Sequence, residues 1–256
     1  KHDWPLHPVT NPNALPIGID PVWQPNNSQT YGLENSLQMP VGVNFDGMNS
    51  GAPIGDPTMD AGPNHVIQMI NGASGATFKV WDKQGVALTA TVEFDTFFGF
   101  PSGFGDPIVL YDHEADRWLL SEFEVKFAQN SLLIAISTSP DPLGTWYTYT
   151  IQNAQFPDYP KYSVWPDMYV VTTNETNQCG FFALDRASML AGTAHNSQRF
   201  TTGVFGGTLS FLASSPVHWD GNTPPPADSP ALAMRMKDDG WAGVANDGLE
   251  FWELDI

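Results

Sequence analysis

Positive charge is scarce in this chain: 10 lysines and arginines stand against 28 aspartates and glutamates, a formal charge of −18 over 256 residues. A surface of that sign repels phosphate backbones, which weighs against nucleic-acid binding. Cysteine is nearly absent as well. Cys179 is the only one, so no internal disulfide forms, and its apolar setting (CGFFAL) is that of a small buried side chain rather than a nucleophile. No stretch reaches the roughly 18 consecutive apolar residues of a membrane-spanning helix. None keeps a helical period with caps over three turns. The six histidines (His2, His7, His65, His113, His195, His218) show no metal-ligand spacing. The serine-hydrolase elbow, the phosphate-binding Walker loop and the dinucleotide fingerprint are all missing, which disfavours those three chemistries.

Turn formers and strand formers are abundant instead, with 22 prolines, 23 glycines and 12% aromatic residues. Residues 105–151 show the pattern best. Pro107–Asp112, Arg117–Val125, Ser131–Ser139 and Thr145–Ile151 read as four strands separated by Asp-, Pro- and Gly-rich breaks. Similar runs lie at 65–72, 76–82, 87–94, 168–175 and 179–185, with one short helical turn expected over Arg186–Gly192. A mark recurs through the chain: Gly55-Asp56-Pro57 returns fifty residues later as Gly105-Asp106-Pro107, and Pro157-Asp158-Tyr159-Pro160 follows fifty-two after that. One meander per period predicts an all-β fold, a β-propeller or a large part of one, built of four-stranded antiparallel blades. Residues 1–50, rich in Pro and Asn, are expected as an extended N-terminal arm anchored by Trp4 and Trp23, with a strand over Val41–Phe45. Residues 51–256 hold about four repeats of roughly 50 residues. Four repeats are few for a closed ring, so completion by a second polypeptide or by further sequence is expected. The chain opens on Lys1-His2-Asp3-Trp4, as a trimmed mature terminus or an artificial boundary would.

Several motifs together resemble a family of secreted, mostly bacterial proteins of unassigned activity that are expected to be β-propellers. They are Gly105-Asp106-Pro107 with Tyr111-Asp112 and Asp116-Arg117-Trp118; Asp141-Pro142 with Gly144 and Trp146-Tyr147; Phe156 to Lys161 with Val164 to Asp167; Leu184 to Ala187 with Met189 to Gly192; and Asp220-Gly221 with Thr223 to Pro226. The resemblance implies a secreted or extracellular protein and, because such proteins run on into further strands, a match to their first half. A looser, fold-level similarity links the chain to five-bladed glycoside hydrolases, in which carboxylates at the start of the innermost strands face a central pocket. Ser139 to Trp146 also resembles the Asp-box turn of sialidase propellers, with one residue too many before the glycine and one too few after it; that box is structural.

Asp56, Asp106 and Asp158 are the candidate catalytic residues and equally the candidate metal ligands. Carboxylates converging from successive repeats repel one another unless a cation or a shared proton relieves them. Calcium, a hard ion taking six to eight oxygens, is the expected cofactor. A pair acting as general acid and base on a glycosidic bond is the alternative, and a local turn role before proline is the third. His65, Tyr159, Lys161, Trp165 and Asp167 are the candidate ligand-binding residues, since aromatics, an ammonium and carboxylates suit a sugar ring and its hydroxyls. The leading expectation is a secreted, calcium-stabilised propeller that binds a carbohydrate or another extracellular ligand. A carbohydrate-active hydrolase or lyase and a structural subunit of a two-chain assembly are the alternatives.

Overall fold

The structure, a computed structural model, describes residues 42–99, 103–125, 130–204, 214–221, 223–241 and 243–255. The chain divides into Lys1–Gly42 and Val43–Ile256, and every element below belongs to the second unit. Trp4, Trp23 and most of the expected arm lie outside the described residues.

Among the described residues, fifteen strands and two short helices follow one another. The first sheet holds β1 (Thr58–Ala61), β2 (His65–Asn71), β3 (Ala76–Asp82) and β4 (Val92–Glu93). The second holds β5 (Gly105–Asp112), β6 (Arg117–Glu124), β7 (Asn130–Ser137) and β8 (Trp146–Asn153). The third holds β9 (Asp158–Val164), β10 (Met168–Glu175), β11 (Gln178–Asp185) and β12 (Ser197–Gly203). The fourth holds β13 (Ser215–Pro216), β14 (Ala231–Lys237) and β15 (Gly248–Leu254). Each is an antiparallel meander in chain order, and among the described residues no sheet closes on itself. The architecture is all-β, mostly in four-stranded antiparallel sheets. Helix α1 (Phe94–Phe98) ends on Gly99 in the left-handed region, and α2 (Arg186–Leu190) is capped by Asp185, whose side chain accepts from Ser188 N–H.

Turn chemistry sets the hairpins. Asp112 Oδ1 accepts from Ala115 N–H (3.0 Å) in the β5–β6 turn, and Asp141 Oδ1 accepts from Leu143 N–H (2.9 Å) in the β7–β8 turn. One expected strand is largely replaced. Of 87–94, only Val92–Glu93 pairs with β3, and Phe94 begins α1. Phe94 makes tilted ring contacts with Phe97 and Phe98, and Phe94 and Phe97 both meet Phe78 edge-on, so the residue expected to end a strand covers the first sheet from a helix instead. The described part of the strand expected over Val41–Phe45 forms none. Residues 43–50 instead reach the first sheet through the Phe45 ring, 5.8 Å from Trp81, and through Met48 N–H to Gln68 Oε1 (2.7 Å).

Among the described residues, three apolar clusters lie between successive sheets. Ile67, Phe78, Trp118 and Leu133 join the first to the second, Leu119, Ile134, Tyr169 and Phe182 the second to the third, and Val170, Phe181 and Ala233 the third to the fourth. Each fully buried Leu, Ile or Phe contributes about 1.5–3 kcal/mol by leaving water. Because the second and third sheets are covered on both faces, their middle strands β6, β7, β10 and β11 have no solvent side. Trp118, Leu120 and Glu122 face the first sheet while Leu119 and Phe123 face the third, and all are buried. A buried ion pair also ties the second sheet to the third: Arg186 Nε and Nη2 donate to Asp112 (2.7 and 2.8 Å), and Tyr169 Oη donates to the same carboxylate (2.7 Å). Burial alone would raise the Asp112 carboxyl, but the Arg186 guanidinium overrides it and holds the group below its ordinary range.

The first strands β1, β5, β9 and β13 are neighbours in that order. Thr58 Oγ1 accepts from Val109 N–H (3.3 Å), and Asp60 Oδ2 accepts from Tyr111 N–H (2.8 Å). Three strand starts are thereby brought side by side.

Candidate functional site

A cavity of about 620 Å³ opens where β1, β5 and β9 begin. Asp56, Asp106, Asp158, Tyr159 and Lys161 line it, with Ile54, Thr58, Ile108 and three prolines. The three recurring marks of the sequence therefore do meet in space.

They do not meet in the register that the aspartates suggested. Each of β1, β5 and β9 carries one extra residue at its start. Gly105 pairs with Phe123 and Ile108 with Ser121; Asp158 pairs with Asn174 and Lys161 with Thr172. In the first sheet Gly55 O accepts from Asn71 N–H (2.8 Å) while Thr58 pairs with Met69. Three residues thus span what the partner strand spans in two, the geometry of a β-bulge. Aligned on the bulge and its proline, the equivalent residues are Asp56, Asp106 and Tyr159, with φ of 38°, 49° and 52°. Positive φ is uncommon for residues other than glycine. Five described ones adopt it, and three of those five line this cavity, the clustering typical of sites where backbone strain aims a side chain. Asp158 falls at the place of Gly55 and Gly105. The third repeat therefore presents a tyrosine where the others present a carboxylate, and Lys161 where they present Thr58 and Ile108.

Burial, together with the charges of Asp56 and Asp158, lifts the Asp106 carboxyl to about 6, against partial relief from the Tyr159 N–H and Lys161. Burial also raises Asp158, whose Oδ1 accepts from Tyr159 N–H (3.0 Å). Lys161 is lowered by burial, which outweighs the attraction of the three carboxylates. Its ammonium sits 3.3 Å from the Tyr159 ring centroid and donates to Pro160 O (3.2 Å). Among the described residues it forms no ion pair within 4.0 Å.

The other candidate residues lie elsewhere. His65 is the first residue of β2, whose last residue, Asn71, bonds to Asp56 and Asp106 of the cavity, so six residues of strand, about 20 Å, separate the two; its Nε2 is 4.0 Å from Asp141 Oδ1. Trp165 and Asp167 follow the far end of β9. The Trp165 indole is buried and donates to Ser229 O (2.9 Å), and Asp167 is an exposed turn residue whose carbonyl accepts from Arg186 N–H. A strand carries its two ends apart, so nearness in sequence to Tyr159 and Lys161 does not bring Trp165 and Asp167 to the cavity.

Among the described residues, the only three acidic, His or Cys side chains with ligand atoms all within 4.8 Å of one another are Asp238, Asp239 and Asp247, in the β14–β15 hairpin. As placed, the cavity aspartates are spread more widely than that. Sequence reasoning passed over Asn71, which joins two of the three marks and whose Asn-Gly setting signalled only a turn.

Compared with protein-family models and with curated proteins, the sequence matches none. Solved structures similar to the chain include a thermostable family-43 glycoside hydrolase, at 11% identity and a TM-score of 0.40 over 74% of this chain and 65% of its own. A family-43 β-1,3-galactosidase is similar at 10% identity and a TM-score of 0.38, over 77% and 44%. The chain spans less than two thirds of either structure's length. Likenesses this distant carry no conclusion about residues or reaction.

Proposed function

We propose that the four sheets are successive blades of a β-propeller and that the cavity at the start of the first strands binds a saccharide. The observation that carries the reading is the composition of that cavity: three carboxylates, one ammonium and one tyrosine spread over about 620 Å³, within the roughly 300–1,000 Å³ of small-ligand sites. Sugar hydroxyls donate to carboxylates and accept from an ammonium, and a sugar's C–H face packs on prolines and an aromatic ring. Lys161 and the aspartates lie near one another without an ion pair, which leaves room for hydroxyls to bridge them. Calcium competes for the same carboxylates. Their spread and the positive charge of Lys161 favour the sugar.

Isothermal titration against a panel of neutral, acidic and amino saccharides, with calcium and then with a chelator, tests the reading. Binding by at least one saccharide, weakened tenfold or more in Asp106→Asn and in Lys161→Met, is expected. Calcium binding that both variants disturb, with no saccharide bound, would sink it.

One observation favours a second reading, glycoside hydrolysis. A carboxyl lifted to about 6 beside two others is suited to proton donation near neutral pH. Turnover of a bound saccharide, lost in Asp106→Asn while binding persists, separates catalysis from binding.

A further inference from the structure

Asn71 ends β2 and reaches two of the three marks at once. Its Nδ2 donates to Asp56 Oδ2 (2.7 Å), and its Oδ1 accepts from Asp106 N–H (3.1 Å). The chemistry fixes which way the amide points: a carboxylate only accepts and a backbone N–H only donates, so no other orientation satisfies both. The backbone of Asn71 is held as well, its N–H donating to Gly55 O (2.8 Å) and its carbonyl accepting from Ser50 Oγ (2.7 Å). The neighbouring repeat leaves space for it. A Cβ on Gly105, whose φ is 127°, would lie 2.5 Å from Asn71 Oδ1. In the second sheet the position opposite the bulge is Phe123, which has no amide to offer a following repeat. The first and second repeats are therefore joined by a polar bridge, and the carboxylate of one is fixed against the backbone that strains the other into positive φ.

We infer that Asn71 is a positioning residue of the saccharide site: it sets the separation of the Asp56 carboxylate from Asp106 by holding the side chain of one and the main chain of the other. The inference rests on the cavity being that site. A side-chain amide does this at neutral charge, with one atom to donate and another to accept. A carboxylate at residue 71 would add a negative charge between two others, and an apolar side chain would release both ends. Because the charge of Asp56 is among the causes that raise Asp106, the separation of the two is readable in the titration of Asp106.

The test needs no ligand. Carboxyl-carbon NMR follows the Asp106 titration in the wild type, Asn71→Asp, Asn71→Leu, Asp56→Asn and the double variant Asn71→Leu/Asp56→Asn. Asn71→Asp is expected to move the Asp106 midpoint up, and Asn71→Leu to move it down, each by about half to one pH unit. Asp56→Asn lowers it too, and adding Asn71→Leu to that background changes little, since the two act through one interaction. General loosening of the fold would move Asp106 the same way in both single Asn71 variants, and that result overturns the inference. So does an unmoved midpoint. If Asn71→Leu does not fold, Asn71→Ser, too short to reach either partner, takes its place. Failure of every saccharide to bind, with these shifts observed, refutes the ligand and leaves the bridge; binding without the shifts refutes the bridge alone.

Discussion

Glu122 offers a quantitative test of how the sheets pack. It lies in mid-sheet on the face of β6 that meets the first sheet and is fully buried, at 0% exposure. Its Oε2 accepts from Ala76 N–H (2.8 Å), Gly105 N–H supports the same carboxyl, and Oε1 has no partner among the described residues. Burial is the main cause that lifts this carboxyl from 4.5 to about 8, with the charges of Asp95 and Glu124 adding to it. A carboxyl raised by folding binds its proton more tightly in the folded chain, so between pH 4.5 and 8 folding takes up a proton. The stabilisation is fully present below 4.5 and is lost as pH rises through 8. Over 3.5 pH units it amounts to about 5 kcal/mol in total, of which about 4 kcal/mol disappears between pH 5 and pH 9. Glu122→Gln keeps the shape and removes the titration. Urea unfolding of both proteins from pH 5 to 9 should therefore show the wild type losing about 4 kcal/mol relative to the variant, more than 1 M in midpoint at a slope of about 3 kcal/mol per molar. Comparing the two cancels the carboxyls that they share. Parallel stability curves across that range would mean that Glu122 is ionised or solvated, and the packing argument would be wrong.

Two further outcomes follow from the ties between sheets. Arg186→Met strands the Asp112 carboxylate at 0% exposure, and breaking one side of a buried pair costs about 3–5 kcal/mol. Thermal unfolding should show that loss at pH 7, and the double change Arg186→Met/Asp112→Leu should recover much of it; equal losses in single and double variants would refute the assignment. At the junction of the third and fourth sheets, Val164 N–H donates to His218 Nδ1 (3.1 Å) and Trp219 N–H donates to Val164 O (3.0 Å). Burial lowers His218, against the opposing pull of Asp220, Asp60 and Asp112 and with the support of His113. A base lowered by folding contributes stability that is present above its unfolded value of 6.5 and lost as pH falls through the folded one. Hydrogen exchange at the Val164 amide, corrected for intrinsic rates, should thus lose protection below pH 6; unchanged protection from pH 8 to 5 would rule out this role of His218.

Much of the strand pattern was legible because it is written locally. Pro, Asp and Gly placed the breaks of 105–151, and alternation with aromatic and β-branched residues placed β5 to β8, β10 and β11 within one or two residues of their observed ends. The fifty-residue spacing of Asp56, Asp106 and Asp158 also carried real information, since all three line one cavity. Their equivalence was misread by one position. The bulge that puts Tyr159 in register with Asp56 and Asp106 is a property of pairing with β10, and no single strand declares its partner's register. Nor does the strand pattern of β6 declare that sheets on both sides bury Glu122 and Glu124. Phe94, expected at the end of a strand over 87–94, instead begins a helix whose Phe94 and Phe97 rings meet Phe78 of the first sheet.

The sequence by itself determined that the chain is all-β, where its turns fall, and which three aspartates mark its repeats. These follow from φ/ψ preferences and side-chain alternation within a few residues. Only the tertiary structure decided that His65, Trp165 and Asp167 lie away from the cavity, that Tyr159 and Lys161 complete it, and that Asn71 spans two repeats. Those outcomes depend on residues distant in sequence being held a few ångströms apart, and a polar contact of that kind leaves no period or spacing in the chain to read.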